Sequence, residues 1–121
     1  MKKIIIAEDD PFVSNAYRVK LTKEGFETKI VKDGNELLKQ LENFIPDLII
    51  LDLVMPNKDG FETLKELKKS ETWKSIPIII ASNLGQNEDI EQGMRLGAND
   101  YIVKTELSLK DLITKIKSLV K

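Results

Sequence analysis

Leu48-Ile49-Ile50-Leu51-Asp52-Leu53-Val54-Met55-Pro56-Asn57-Lys58-Asp59-Gly60 is the stretch on which the fold of this 121-residue chain turns. Four apolar residues in succession read as a strand buried on both faces, the environment of a parallel sheet rather than a half-exposed one. One carboxylate, Asp52, sits where that run meets the turn-forming segment Met55 to Gly60. An ionisable group at the end of a buried strand costs stability unless it is paired or holds a cation. Taken alone, Asp52 reads more readily as a solvated strand-end residue. The ends of the other strands decide between the two.

Upstream, Ile4 to Ala7 is a β-branched strand that runs into Glu8-Asp9-Asp10-Pro11. Asp before Pro is a helix start, with Asp10 as N-cap and Pro11 in the first turn. That accounts for Asp10 but not for Glu8 or Asp9. Val13, Ala16, Tyr17 and Leu21 mark one face of the helix, and Gly25 stops it. Phe26 to Val31 alternates like an edge strand and leads to an Asp33-Gly34 turn. Leu37, Leu38, Leu41 and Phe44 outline a second helix, closed by Pro46. Downstream, Phe61, Leu64 and Leu67 carry a third helix to about Lys69. A loop with the single tryptophan, Trp73, follows as a packing element. Pro77 to Ala81 is another buried strand, ending in Ser82-Asn83. Ile90, Gly93 and Met94 outline a fourth helix with Gly97 as its stop, and Tyr101 to Val103 is the last strand, ending in Lys104. Ser108 and Asp111 form a capping box, flanked by Leu107 and Leu112 as a staple, for a closing helix along Leu112, Ile113, Ile116 and Leu119.

Five strand–helix units in succession define an α/β, doubly wound (βα)5 fold of the flavodoxin-like kind, a parallel sheet covered on both faces. The expected strand order is 2-1-3-4-5, with the site at the carboxyl ends beside the switch point. Charged residues make up 32% of the chain and the net charge is −1, which gives no electrostatic footprint for nucleic acid or an anionic membrane. No apolar run approaches the length of a membrane span. Without cysteine there are no disulfides or thiolate metal sites. Without histidine there is no imidazole base and no phosphohistidine on the chain itself.

In that strand order, Glu8 and Asp9, Asp52, Ser82 and Lys104 stand at neighbouring strand ends. Close carboxylates repel unless a cation joins them, and oxygen-only ligands in an open cleft suit Mg²⁺. A hydroxyl and an ammonium beyond Asp52 are placed to hold phosphoryl oxygens. The chemistry implied is attack of Asp52 on phosphorus.

These pieces resemble the receiver domain of two-component response regulators over essentially the whole length. They are Ile-Ile-Ile-Ala-Glu8-Asp9-Asp10, the run from Asp47 through Asp52 to Gly60, Ile-Ile-Ile-Ala-Ser82, and Gly97-Ala-Asn-Asp-Tyr101-Ile-Val-Lys104. The resemblance, which extends to the single-domain chemotaxis-type regulators, implies a cytoplasmic phosphorylation-activated switch rather than an enzyme. Its only catalysis would be phosphoryl transfer to Asp52 and hydrolysis. It implies a histidine kinase or phosphotransfer protein as donor. The Mg²⁺ ligands would be Glu8, Asp9, Asp52 and the Val54 backbone carbonyl, and Ser82 and Lys104 would bind the phosphoryl oxygens. Tyr101 would change rotamer when Ser82 moves, altering the face formed by the fourth helix, fifth strand and fifth helix. An output protein, or a second copy on activation, would read that face, with no direct contact to nucleic acid. Residues 1–121 are expected to form one such domain with no output domain in this chain. In receivers the positions of Val54 and Leu84 influence phosphoryl lifetime; both are apolar here, so slow dephosphorylation is expected.

Three positions depart from the family pattern. Thr105 replaces the usual proline after the lysine, whose peptide is cis. A cis bond before threonine costs several kcal/mol, which leaves open the backbone geometry that holds Lys104. Asn83 replaces a small residue after the hydroxyl, and Ser82 replaces the commoner threonine. The alternative reading is a receiver-like interaction module that is independent of phosphate. The acidic Glu8-Asp9-Asp10 would repel a flavodoxin's phosphate, Asp52-Leu53-Val54 lacks the second acid of a haloacid-type phosphatase, and no P-loop motif is present.

Overall fold

A computed structural model describes residues 1–120. The ten elements alternate without exception: β1 (Lys3–Ala7), α1 (Pro11–Lys23), β2 (Glu27–Val31), α2 (Gly34–Leu41), β3 (Leu48–Leu51), α3 (Gly60–Lys69), β4 (Ile78–Ser82), α4 (Asn87–Arg95), β5 (Asp100–Val103) and α5 (Leu109–Leu119). The sheet is parallel throughout, in the order β2-β1-β3-β4-β5. The expected doubly wound fold is therefore present.

Side chains alternate across a strand, so each central strand feeds two cores. Ile49 and Leu51 of β3 join Ile5, Ile78 and Ile80 beneath α2 and α3, with Leu37, Leu64 and Leu67. Leu48 and Ile50 join Ile4, Ile6 and Ile79 beneath α1 and α5, with Leu21, Leu112 and Ile116. All four residues of β3 are buried, which is why the run is apolar without alternation. Trp73 packs against the first of these cores.

The helix boundaries follow their caps. Asp10 accepts from the Phe12 amide with Pro11 in the first turn, and Ser108 and Asp111 form the reciprocal capping box of α5. Gly25 and Gly97 follow α1 and α4 in the left-handed region. Two local expectations differ. Asp33 does not open a turn: it caps α2 and accepts from the Glu36 amide, while Glu36 Oε1 accepts from the Lys32 amide. The pattern Asp-x-x-Glu carries that cap, and the Asp-Gly pair obscured it. Ala16 is exposed rather than packed, because α1 leaves a groove of about 340 Å³ toward α5, lined by Phe12, Tyr17 and Leu112.

Candidate functional site

The register brings the strand ends together. The Asp52 amide donates to the Ala7 carbonyl at 3.0 Å, which ties the residue after β3 to the end of β1. The Lys104 amide donates to the Ser82 carbonyl at 2.8 Å, which does the same for β5 and β4. Glu8, Asp9, Asp52, Ser82 and Lys104 thus meet at the carboxyl edge of the sheet. Glu8 and Asp52 are buried, at 3% and 6% exposure, and Ser82 is fully buried, whereas Asp9 is exposed.

Lys104 is the counter-charge of this cluster. Its ammonium bonds to Glu8 Oε1 and lies 3.3 Å from Asp52 Oδ2. Burial alone would lower the lysine pKa, but the bond to Glu8 and the charge of Asp52 outweigh it and the pKa is raised. Glu8 is pushed up by burial. The bonds from Lys104 and the Asp10 amide pull it back, and the charge of Asp52 adds to the rise. The Lys104–Thr105 peptide is trans, since no cis bond occurs among the described residues. A turn closes the segment instead, with the Glu106 and Leu107 amides donating to the Val103 carbonyl.

One carboxylate oxygen from each of Glu8, Asp9 and Asp52 lies within 4.8 Å of the others. Among three ligands of an octahedral Mg²⁺ at least two pairs are adjacent, about 2.9 Å apart, so these oxygens would draw closer together to share a small divalent cation. The donors are all oxygen, as such an ion requires. Val54, two residues beyond Asp52, is exposed, and its amide donates to Asp52 Oδ1 at 3.4 Å. α3 begins hard against this segment. A Cβ on Gly60 would lie 2.3 Å from the Asp52 carbonyl oxygen and 2.8 Å from Leu53 Cα, so only glycine allows the approach.

On the other side, Ser82 Oγ accepts from the Leu84 amide at 3.2 Å, and the Tyr101 hydroxyl donates to the Leu84 carbonyl. Burial pushes the Tyr101 hydroxyl pKa up. One short loop therefore joins the strand-end hydroxyl to the aromatic ring. Asn83 is exposed. Sequence reasoning took Tyr17 only as a helix-face residue. Burial raises its hydroxyl pKa, and the charges of Lys104, Glu8 and Asp52 all reach it. No periodicity in α1 distinguishes that from ordinary packing.

A doubly wound sheet with an oxygen-donor cluster, a hydroxyl and an ammonium at its carboxyl edge defines a class of phosphate-responsive switches. A family profile described as "Response regulator receiver domain" matches residues 4–117. The chain belongs to that family, and its function is that of a two-component signalling switch. It is 36% identical to response regulator RR06 of Streptococcus pneumoniae over 98% of this chain and 52% of that protein. It is 33% identical to the DNA-binding dual master transcriptional regulator RpaA of Synechocystis over 100% of this chain and 50% of that one. The chain thus spans about half the length of these curated relatives. A putative response regulator from Chloroflexus aurantiacus superposes with a TM-score of 0.92 at 27% identity, covering 98% and 97% of the two chains. The phosphorylated cyanobacterial phytochrome response regulator RcpA does so at 0.85 and 33%, covering 97% and 89%. The Mn²⁺-bound form of response regulator Rcp1 does so at 0.84 and 29%, covering 98% and 91%. No helix among the described residues is long and apolar enough to cross a membrane.

Proposed function

We propose that Asp52 is the phosphoacceptor and that a histidine kinase or phosphotransfer protein is the donor. The observation that carries this reading is the buried Asp52 carboxylate, with the Lys104 ammonium 3.3 Å away and oxygens of Glu8 and Asp9 within 4.8 Å. Glu8, Asp9, Asp52 and the Val54 carbonyl would hold Mg²⁺, which when bound supplies positive charge to offset that of the incoming phosphoryl group. An Asp52 oxygen attacks phosphorus in line. The new O–P bond forms as the P–N bond of the phosphohistidine breaks, and its electron pair returns to the imidazole. Lys104 leaves Glu8 and Asp52 to pair with a phosphoryl oxygen, and the Ser82 hydroxyl donates to another. Hydrolysis reverses the state: water attacks the acyl phosphate, returning the carboxylate and inorganic phosphate.

The readout follows from the loop. Movement of Ser82 toward phosphate shifts Leu84, whose carbonyl accepts the Tyr101 hydroxyl, and so repositions the ring on the α4–β5–α5 face. A protein partner, or a second copy, reads that face. With a net charge of −1 the domain itself offers nucleic acid no attraction, and the DNA binding named for RpaA belongs to a protein about twice this length.

Intact mass after incubation with acetyl phosphate tests the assignment. One added phosphoryl group that requires Mg²⁺ and is absent in Asp52→Asn is expected. No adduct with or without Mg²⁺ would overturn it and favour the phosphate-independent module.

A further inference from the structure

The segment between β3 and α3 carries Val54, yet most of it projects from the sheet: Val54, Pro56, Asn57 and Asp59 are all exposed. Its form is nonetheless tightly specified. Asn57 has φ 64°, the only non-glycine residue among those described to adopt the left-handed region, where asparagine is tolerated best. The Asn57 side-chain amide donates to Asp33 Oδ2 at 2.8 Å, while Asp33 Oδ1 accepts from the Glu36 amide at 2.8 Å. One carboxylate therefore caps α2 and grips the β3–α3 loop. Next to it, the Gly34 amide donates to the Lys58 carbonyl at 3.1 Å. A Cβ on Gly34 would fall 1.9 Å from Thr63 Oγ1 and 2.7 Å from Lys58 Cγ, so the start of α2 is seated directly on the loop and on α3. At its other end the loop closes through the Gly60 amide to the Leu53 carbonyl at 3.0 Å.

We propose that Asp33 is a positioning residue for the cation site: by holding Asn57 it fixes the β3–α3 loop, and thereby the spacing of Val54 from Asp52. The inference rests on the reading of Val54, Asp52, Glu8 and Asp9 as the cation's ligands, and adds a residue on a different element to the set that determines affinity. The clasp also ties α2 to the state of that site, because the same carboxylate serves both.

Reciprocal substitution tests it. Asn57→Asp keeps the side-chain size and the tolerance for the left-handed turn, but sets two carboxylates against each other. Its added negative charge would by itself tighten cation binding, so weaker binding can only come from lost positioning. Combining it with Asp33→Asn restores the bond in reverse, the amide at position 33 donating to the carboxylate at position 57, with the original net charge. Asn57→Gly removes the amide without adding charge and keeps the turn. The measurements are Mg²⁺ affinity by calorimetry and amide exchange of residues 53–58 in EDTA. Affinity is expected to fall about tenfold in Asn57→Asp and Asn57→Gly, the lower end for groups that orient ligands, and to return to within about threefold in the double variant. Loop amides should exchange faster in both single variants even without the ion. Unchanged affinity in Asn57→Gly, or no recovery in the double variant, overturns the assignment. No Mg²⁺ binding by the unsubstituted chain overturns the ligand reading itself and the inference with it.

Discussion

Asp52→Asn is expected to stabilise the protein in the absence of a divalent cation. Asp52 is attracted by the Lys104 ammonium at 3.3 Å, an interaction of about 5 kcal/mol at an effective dielectric constant of 20. It is repelled by buried Glu8 with an oxygen within 4.8 Å, which is about 3.5 kcal/mol on the same footing. Exposed Asp9 adds a smaller, screened repulsion. The pair interactions thus cancel to within about a kcal/mol or two. What remains is the desolvation of a carboxylate left 6% exposed, several kcal/mol per ion, of which a neutral amide retains only a part. The amide keeps an acceptor for the Val54 N–H. A net gain of about 1–3 kcal/mol follows, which for a chain of this size raises Tm by roughly 5–10 °C. The assay is thermal unfolding in EDTA and again in millimolar Mg²⁺. Binding stabilises only the chain that binds, so the gap between variant and unsubstituted protein should narrow with the ion. A variant equally or less stable than the unsubstituted chain in EDTA would refute the account of the cluster as electrostatically frustrated.

Two further outcomes follow from the same site. The Glu8 pKa is raised in the fold above its ordinary 4.5, chiefly by burial, so the folded state binds its proton more tightly than the unfolded one. Its stabilising contribution is present below about pH 4.5 and lost as pH rises through the folded value. Cation-free urea titrations should therefore show the unsubstituted chain losing stability relative to Glu8→Gln from pH 4.5 upward, and a constant or opposite difference would contradict this. Leu84 is half-buried beside Ser82, and its backbone bonds survive truncation. Leu84→Ala should shorten the phosphoryl lifetime, measured by loss of the mass adduct, more than the exposed change Lys39→Ala; equal lifetimes would remove the apolar cover as the cause.

The site residues were legible because their types conflict with their positions. A carboxylate after four buried apolar residues, an acidic pair before a helix already capped by Asp10, and a hydroxyl and a lysine at two other strand ends had no shared local explanation. The Asp33 cap was harder to see, since Asp-Gly after an edge strand has the same composition as a hairpin turn. The contact between Asp33 and Asn57 was invisible, because 24 residues separate them and neither is unusual in its own segment.

From sequence alone come the five strand–helix units, the buried character of β1, β3 and β4, and the residue types available to the site. These follow from local physics, namely periodicity, capping and the cost of an unpaired charge at the end of an apolar run. Only the tertiary structure decides that Lys104 bonds to Glu8 while lying near Asp52, and that Tyr101 donates to the Leu84 carbonyl. It alone decides that Thr105 follows a trans peptide, and that Asp33 grips the loop after β3. The two side-chain bonds depend on strand register, and the Asp33 contact on the close approach of backbones that Gly34 and Gly60 allow. Those are set by the packing of the whole sheet between its two helical layers, which no window of the sequence contains.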